Sequence, residues 1–235
     1  MDQPPTDGSM EAAGEFARDV NQGKGETERL DLGVELVVEL VEGCDHVGIT
    51  AIGPNGVETV AASSEKTILC DQLQYDLKEG PCIDTVRTHH TAISNAVASD
   101  PRWPRWGPAV AETYGVGSML SVLLYTHDDS YGVLNLYSDH PQAYNGDDIL
   151  TAEALAAHLA VAATNGRELD NRGLAMISRT AIGQAEGILM ERFKITAEQA
   201  FQMLREESQN TNRKLARIAA DLNSTGIWRR PPRAR

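Results

Sequence analysis

No apolar run in the sequence approaches the roughly 20 residues a helix needs to cross a bilayer. The longest, Val116–Tyr125 and the alanine-rich Ala154–Ala163, are too short, and His158 interrupts the second. The start of the chain is acidic and polar (Asp2, Asp7, Glu11, Glu15). It has neither a basic opening nor an apolar core, so it does not read as a secretory signal, and a cytoplasmic protein without a membrane partner is expected. Cysteine is scarce as well. Cys44, Cys70 and Cys82 are odd in number and lack C-x-x-C spacing. That argues against a disulfide framework and a cysteine-built zinc site.

What is present suits an ordinary globular protein: 41% hydrophobic residues in 235, enough for one large domain or two modest ones. The net charge of −13 is unevenly spread. Residues 1–166 hold 8 Lys and Arg against 26 Asp and Glu, a net −18; residues 167–235 hold 13 against 8, a net +5. Such a split suggests a basic, polyanion-facing module joined to an acidic one.

Residues 1–26 are rich in Gly, Pro, Asp and Glu and read as a disordered tail. Leu32, Leu36, Val37, Leu40 and Val41 then form a helical stripe that Gly43 stops. His46–Ile52 and Val57–Ser63 flank Gly53-Pro54-Asn55-Gly56 and read as a hairpin. Helices are expected around Thr67–Leu73, Cys82–Thr88 and Pro104–Tyr114, with a short strand at Thr91–Ser94. Met119–Thr126 and Tyr131–Tyr137 are the clearest strands, turning at Asp128-Asp129-Ser130, and a helix follows at Asp147–Glu168. The pattern is α+β, an antiparallel sheet with one face for helices and the other for a small-molecule pocket.

The order of these elements resembles the GAF family of sensor domains over residues 27–166. The resemblance rests on the opening helix into His46–Ile52, on Glu79-Gly80-Pro81-Cys82 and on Trp103-Pro104-x-Trp106. It continues through the Gly115–Leu124 strand and Tyr131–Tyr137. PAS domains share the architecture.

Past this region, Leu174, Ile177, Ala181, Ala185, Ile188 and Leu189 lie on one helical face. Thr196-Ala197-Glu198-Gln199 fits a capping box opening a second helix, with Ala200, Phe201, Met203 and Leu204 facing inward. Asn210-Thr211-Asn212 breaks it and can cap a third helix carrying Leu215, Ile218, Ala219 and Leu222. The runs Ile182–Met190, Ala200-Phe201-x-x-Leu204-Arg205 and Thr211–Leu215 resemble the ANTAR family of antitermination regulators. The expected architecture is therefore a GAF-like sheet domain, then an all-α three-helix ANTAR-like module at 167–223, then a basic disordered tail at 224–235.

The ANTAR resemblance implies dimers that bind paired RNA stem-loops and prevent a terminator from forming. It also implies RNA contacts at Gln184, Arg205, Thr211, Asn212, Arg213 and Lys214, with cations on phosphates and amides on base edges. Glu186 departs from the lysine common in that family and sets a carboxylate near the expected RNA side. A homodimer seam is read at Ala152, Leu155, Leu159, Ala162, Gly166 and Leu169, which follow 3-4 spacing. Asn165-Gly166 and Asn171-Arg172-Gly173 offer hinges instead.

The sequence names no cofactor. The cyclic-nucleotide GAF signature begins with Asn-Lys, and no such dipeptide occurs. Trp103 and Trp106 could line a ligand pocket, though packing at a helix start accounts for them more simply. The paired His89-His90 reads as exposed. Cys82 loosely resembles the cysteine of GAF-type methionine sulfoxide reductases, but Glu79 and Asp84 beside it would raise a thiol pKa rather than lower it. The expected protein is a non-enzymatic, signal-responsive antiterminator. A reductase and a helix-turn-helix DNA-binding regulator are the competing readings.

Overall fold

A computed structural model describes residues 7–53, 56–126 and 130–228. The chain divides into two compact units at Leu169/Asp170. In the first, helices α1 (Asp7–Val20) and α2 (Glu26–Leu40) precede the strands β1 (His46–Gly53) and β2 (Gly56–Ala62). Then come α3 (Glu65–Leu77), α4 (Pro81–Thr88), β3 (Ala92–Ser94), a 3-10 turn at Val97–Ser99 and α5 (Trp106–Tyr114). Strands β4 (Ser118–Tyr125) and β5 (Ser130–Ser138) lead into α6 (Gly146–Phe193).

The five strands form one antiparallel sheet in the order β2-β1-β5-β4-β3. Side chains alternate across it. On β1, β4 and β5, Val47, Ile49, Leu120, Val122, Leu134 and Leu136 enter a core shared with α1, α2 and α6. Their neighbours Met119, Val133 and Tyr137 enter a second core with α3, α4 and α5. Gly33 explains how closely α2 lies on α6: a Cβ there would stand 2.2 Å from Leu159 Cδ2.

The supposed tail contains a helix. Phe16 and Val20 lie one turn apart on α1 and are both buried in the first core, two anchors hidden in a stretch of low overall hydrophobicity. Buried Arg29 ties the α1–α2 link, donating from Nε to Gly23 O at 2.9 Å and from Nη1 to Asn21 Oδ1 at 2.6 Å. Residues 1–6 lie outside the described residues, as do Pro54-Asn55 and Asp128-Asp129 of the expected turns.

The supposed dimer seam is also internal. Ala152, Leu155, Leu159 and Ala162 are buried in the chain's own core, because a helix lying on a sheet shows the same 3-4 spacing as a coiled coil. Gly166 is no hinge. It faces the start of α2, where a Cβ would meet Glu26 Cα at 2.7 Å.

The second unit begins within α6 and adds α7 (Ala197–Thr211) and α8 (Leu215–Thr225). Ala185, Leu189, Ala200, Leu204, Ile218, Ala219 and Leu222 make its core. The capping box is formed: Thr196 Oγ1 accepts from the Gln199 amide at 3.3 Å, and Gln199 Oε1 accepts from the Thr196 amide at 3.0 Å. Phe201 does not face inward. Ala200 and Leu204 hold the core stripe, and Phe201 is rotated off it and 41% exposed. Leu174 and Ile177 are exposed as well, because packing by α7 and α8 begins only at Ala181.

Residues 224–228 of the expected C-terminal arm are folded. α8 continues to Thr225, Gly226 closes it at φ 63°, and Trp228 packs against the core. Arg229, Arg230, Arg233 and Arg235 lie outside the described residues. Among the described residues, no helix is long and apolar enough to cross a membrane.

Candidate nucleic-acid interface and sensor interior

The turn between α7 and α8 gathers most of the residues implicated by sequence. Asn212 ends α7 in the left-handed region at φ 50°, a conformation asparagine tolerates better than most residues. It closes α7 rather than capping α8. The N-cap of α8 is Lys214, with no side-chain cap, so the first amides of α8 open beside Lys214 and Arg217.

The six expected contact residues differ in how free they are. Arg205 and Lys214 are exposed, with no side-chain partner among the described residues. Arg205, Gln209 and Asn212 share one face of α7 by their spacing. Arg213 is engaged by Asp221 in an ion pair about half exposed on each side. The Thr211 hydroxyl donates to Glu207 O at 2.6 Å, within its own helix. Gln184 sits apart on α6 and accepts from Asn223 Nδ2 at 3.4 Å. Arg217, one turn into α8 and exposed, belongs with this group but escaped the sequence reading. Its spacing from Arg213 and Lys214 was the available signal.

In the first unit, the sheet face beneath α3 and α4 carries a buried polar cluster. Thr50, Ser121, Asn135 and Tyr137 point to this face, and Asp71, Gln74 and Tyr75 of α3 meet them. Asp71 accepts from Tyr137 Oη at 2.5 Å, Asn135 Nδ2 at 2.9 Å and Thr59 Oγ1 at 2.9 Å. Asn135 Nδ2 also donates to Thr50 Oγ1 at 3.0 Å, and Thr50 shares a hydrogen bond with Tyr75 at 2.7 Å. Burial raises the Asp71 carboxyl to about 6, against the pull of its three donors.

Cys82 borders this cluster at the start of α4. Its amide donates to Gln74 Oε1 at 2.9 Å and its thiol to Thr50 Oγ1 at 3.5 Å. Gly80, at φ 138°, makes this approach possible: a Cβ there would lie 2.3 Å from Gln74 Oε1. The thiol is fully buried, and burial together with the Asp71 charge pushes it up to about 12. A thiolate nucleophile requires the opposite environment.

Trp103 and Trp106 are both buried and meet edge to face at 6.1 Å. Trp103 Nε1 donates to Asp84 Oδ2 at 3.0 Å. The Glu79 carboxylate accepts from the Arg105 and Trp106 amides at 2.6 and 2.9 Å and so caps α5. These tryptophans therefore pack and anchor a helix start. His89 and His90 are exposed.

Comparison with known proteins agrees with both halves. A family model described as the GAF domain matches residues 23–163, and one described as the ANTAR domain matches residues 174–222. No curated protein matches the sequence.

Among solved structures, the first unit is similar to the GAF domain of an Acinetobacter phosphoenolpyruvate-protein phosphotransferase. They share 14% identity and a TM-score of 0.55, over 71% of this chain and 99% of that one. It is likewise similar to a free methionine-R-sulfoxide reductase from Neisseria meningitidis solved with its substrate. There the identity is 16% and the TM-score 0.54, over 72% of this chain and 97% of that one. A third likeness is the GAF domain of a Coxiella burnetii phosphoenolpyruvate-protein phosphotransferase. It has 14% identity and a TM-score of 0.52, over 68% of this chain and 95% of that one. At such identities these likenesses establish the fold. The chain belongs to the GAF family, and an ANTAR domain follows its GAF domain in sequence.

Proposed function

We propose that this protein is a homodimeric, cytoplasmic transcription antiterminator that binds paired stem-loops in nascent RNA. Its GAF domain gates that binding in response to a small-molecule signal. The observation that carries the reading is the α7–α8 turn, where Lys214 and Arg217 stand exposed and unpaired among the described residues beside Asn212, with Arg205 likewise exposed on α7, all within the ANTAR match. Unpaired cations neutralise phosphate without first breaking an internal ion pair, and an asparagine amide can read an unstacked loop base. Gln184, Asn212 and Arg213 remain assigned to the RNA face alongside them, and Thr211 stands on that face with its hydroxyl held by Glu207 O. The dimer contact proposed is the α6 stretch bearing Leu169, Leu174, Met176 and Ile177, which are 45 to 68% exposed.

The buried cluster around Asp71 supports a sensing role for the first domain, since a sheet face meant only for packing would be apolar. Catalysis is not part of the reading: Cys82 is buried and its thiol held protonated. Sequencing RNA recovered by pull-down with the purified protein tests the proposal. Enrichment of tandem stem-loops that overlap terminators is expected. Recovery of unstructured RNA, or of none, contradicts it.

A further inference from the structure

The second unit holds a cavity of about 240 Å³ between α7, α8 and the segment after α8. Ile218 and Leu222 line it along with Trp228, whose partly buried ring also rests on the three-helix core. Polar groups on the lining come from Glu207, Arg213 and Asp221. Arg192 Nη2 donates to Gly226 O at 2.6 Å and holds the segment that carries Trp228 in place. Trp228 lies beyond the ANTAR match, so the aromatic wall is a feature of this chain's own continuation.

A cleft of this size, with Trp228, Ile218, Leu222 and Ile227 as apolar walls and charged groups at its rim, suits a flat ring with a polar edge. Two carboxylates on the lining make it hostile to phosphate. An ionised carboxylate only accepts hydrogen bonds, so the ring it holds must present donors. Arg213 only donates, so the same ring must also present acceptors. Guanine meets both demands. Its N1–H and N2 amine form a two-donor edge for one carboxylate, and its O6 and N7 form a two-acceptor edge for a guanidinium. Adenine and cytosine lack that combination, and uracil offers a single ring N–H.

We propose that this cavity receives one unpaired guanine from a loop of the bound RNA, an inference that rests on the RNA-binding reading above. Trp228 stacks on the base. Glu207, whose side chain has no partner among the described residues, takes the N1–H and N2 edge, and Arg213 turns from Asp221 to O6 and N7. The flanking phosphates follow Lys214 and Arg217 outside the cavity. The carboxylates that look misplaced on a nucleic-acid face thereby select a base.

The test uses the full-length chain and hairpin RNAs with a single guanine at successive positions of an otherwise uridine loop. Inosine replaces that guanine in a matched set and removes only the N2 amine. At one loop position, guanine is expected to bind about tenfold tighter than inosine or uridine. Glu207→Gln should shrink that preference to below about threefold, and Trp228→Ala should weaken the guanine hairpin about tenfold or more, with Trp228→Phe retaining most of the affinity. Circular dichroism of each variant separates these losses from unfolding. Equal affinity for guanine, inosine and all-uridine loops overturns the cavity assignment while leaving RNA binding intact. Tight binding of free guanosine monophosphate, with hairpin affinity indifferent to the loop base, overturns the RNA source of the guanine. Failure of every hairpin to bind counts against RNA binding itself and removes this inference with it.

Discussion

The hydroxyl of Tyr137 on β5 donates to the carboxylate of Asp71 on α3 at 2.5 Å, inside a cluster where neither residue reaches solvent. Among the described residues Asp71 has no cationic partner; its other donors are Asn135 and Thr59. Burial therefore outweighs hydrogen bonding, and the carboxyl rises from 3.8 to about 6. In the unfolded chain the group ionises near its ordinary value. Its contribution is fully present below about pH 4, falls as the unfolded state alone ionises, and is lost as pH rises through about 6. The change is on the order of 3 kcal/mol. Asp71→Asn should raise the Tm of the protein at pH 8 and flatten the difference between pH 4 and pH 7. A variant whose Tm tracks the wild type across that range would show Asp71 to be paired in a way this geometry lacks.

The cations of the α7–α8 turn should not be equivalent. Lys214→Ala and Arg217→Ala each remove an unpaired charge, so each should weaken RNA of any sequence and reduce the salt slope by about one. Thr211→Ala should change affinity less than about twofold, because its hydroxyl is already bound to Glu207 O. Titration across a salt series distinguishes these outcomes.

Cys82 should be inert. Its thiol is buried and held near 12, so alkylation of the native protein at pH 8 should leave it unmodified until the domain unfolds. Cys82→Ala should cost about 1 to 2 kcal/mol of stability and leave RNA affinity unchanged. Mild oxidation that shifts RNA affinity tenfold in the wild type, and not in Cys82→Ala, would make it a redox sensor instead.

Dimerisation and core packing separate along α6. Replacing Leu174 and Ile177 together with glutamate should give monomers by light scattering, with helicity kept. Leu159→Ala should lower stability by about 2 to 5 kcal/mol and leave the dimer intact, because Leu159 is spent on the internal core. Monomers in the wild type at micromolar concentration, with and without RNA, would contradict the dimer.

Much of this architecture was legible in the sequence because local signals agreed with tertiary packing. The β1–β2 hairpin, the β4 and β5 alternation and the Thr196 capping box each declare themselves within a few residues. What stayed hidden depends on partners distant in sequence. Phe16 and Val20 become core residues only when the sheet and α6 are present, and the Ala152–Ala162 spacing fits a sheet-facing helix as well as a coiled coil. The Asp71 cluster draws on β1, β2, α3, β4 and β5, so no window of sequence contains it. At the proposed RNA face, residue types suggested the cations, but only geometry distinguishes Arg213, paired with Asp221, from Lys214, which has no partner among the described residues, and adds Arg217.

The most direct test is a competition of the full-length protein for a tandem stem-loop RNA against a DNA duplex of equal length, at physiological salt. Stem-loop RNA should displace the duplex at least a hundredfold more effectively, and Lys214→Ala with Arg217→Ala should weaken binding of the stem-loop and lower its salt slope by about two. Equal or stronger binding of the duplex would make the three-helix unit a DNA-binding module and contradict the account.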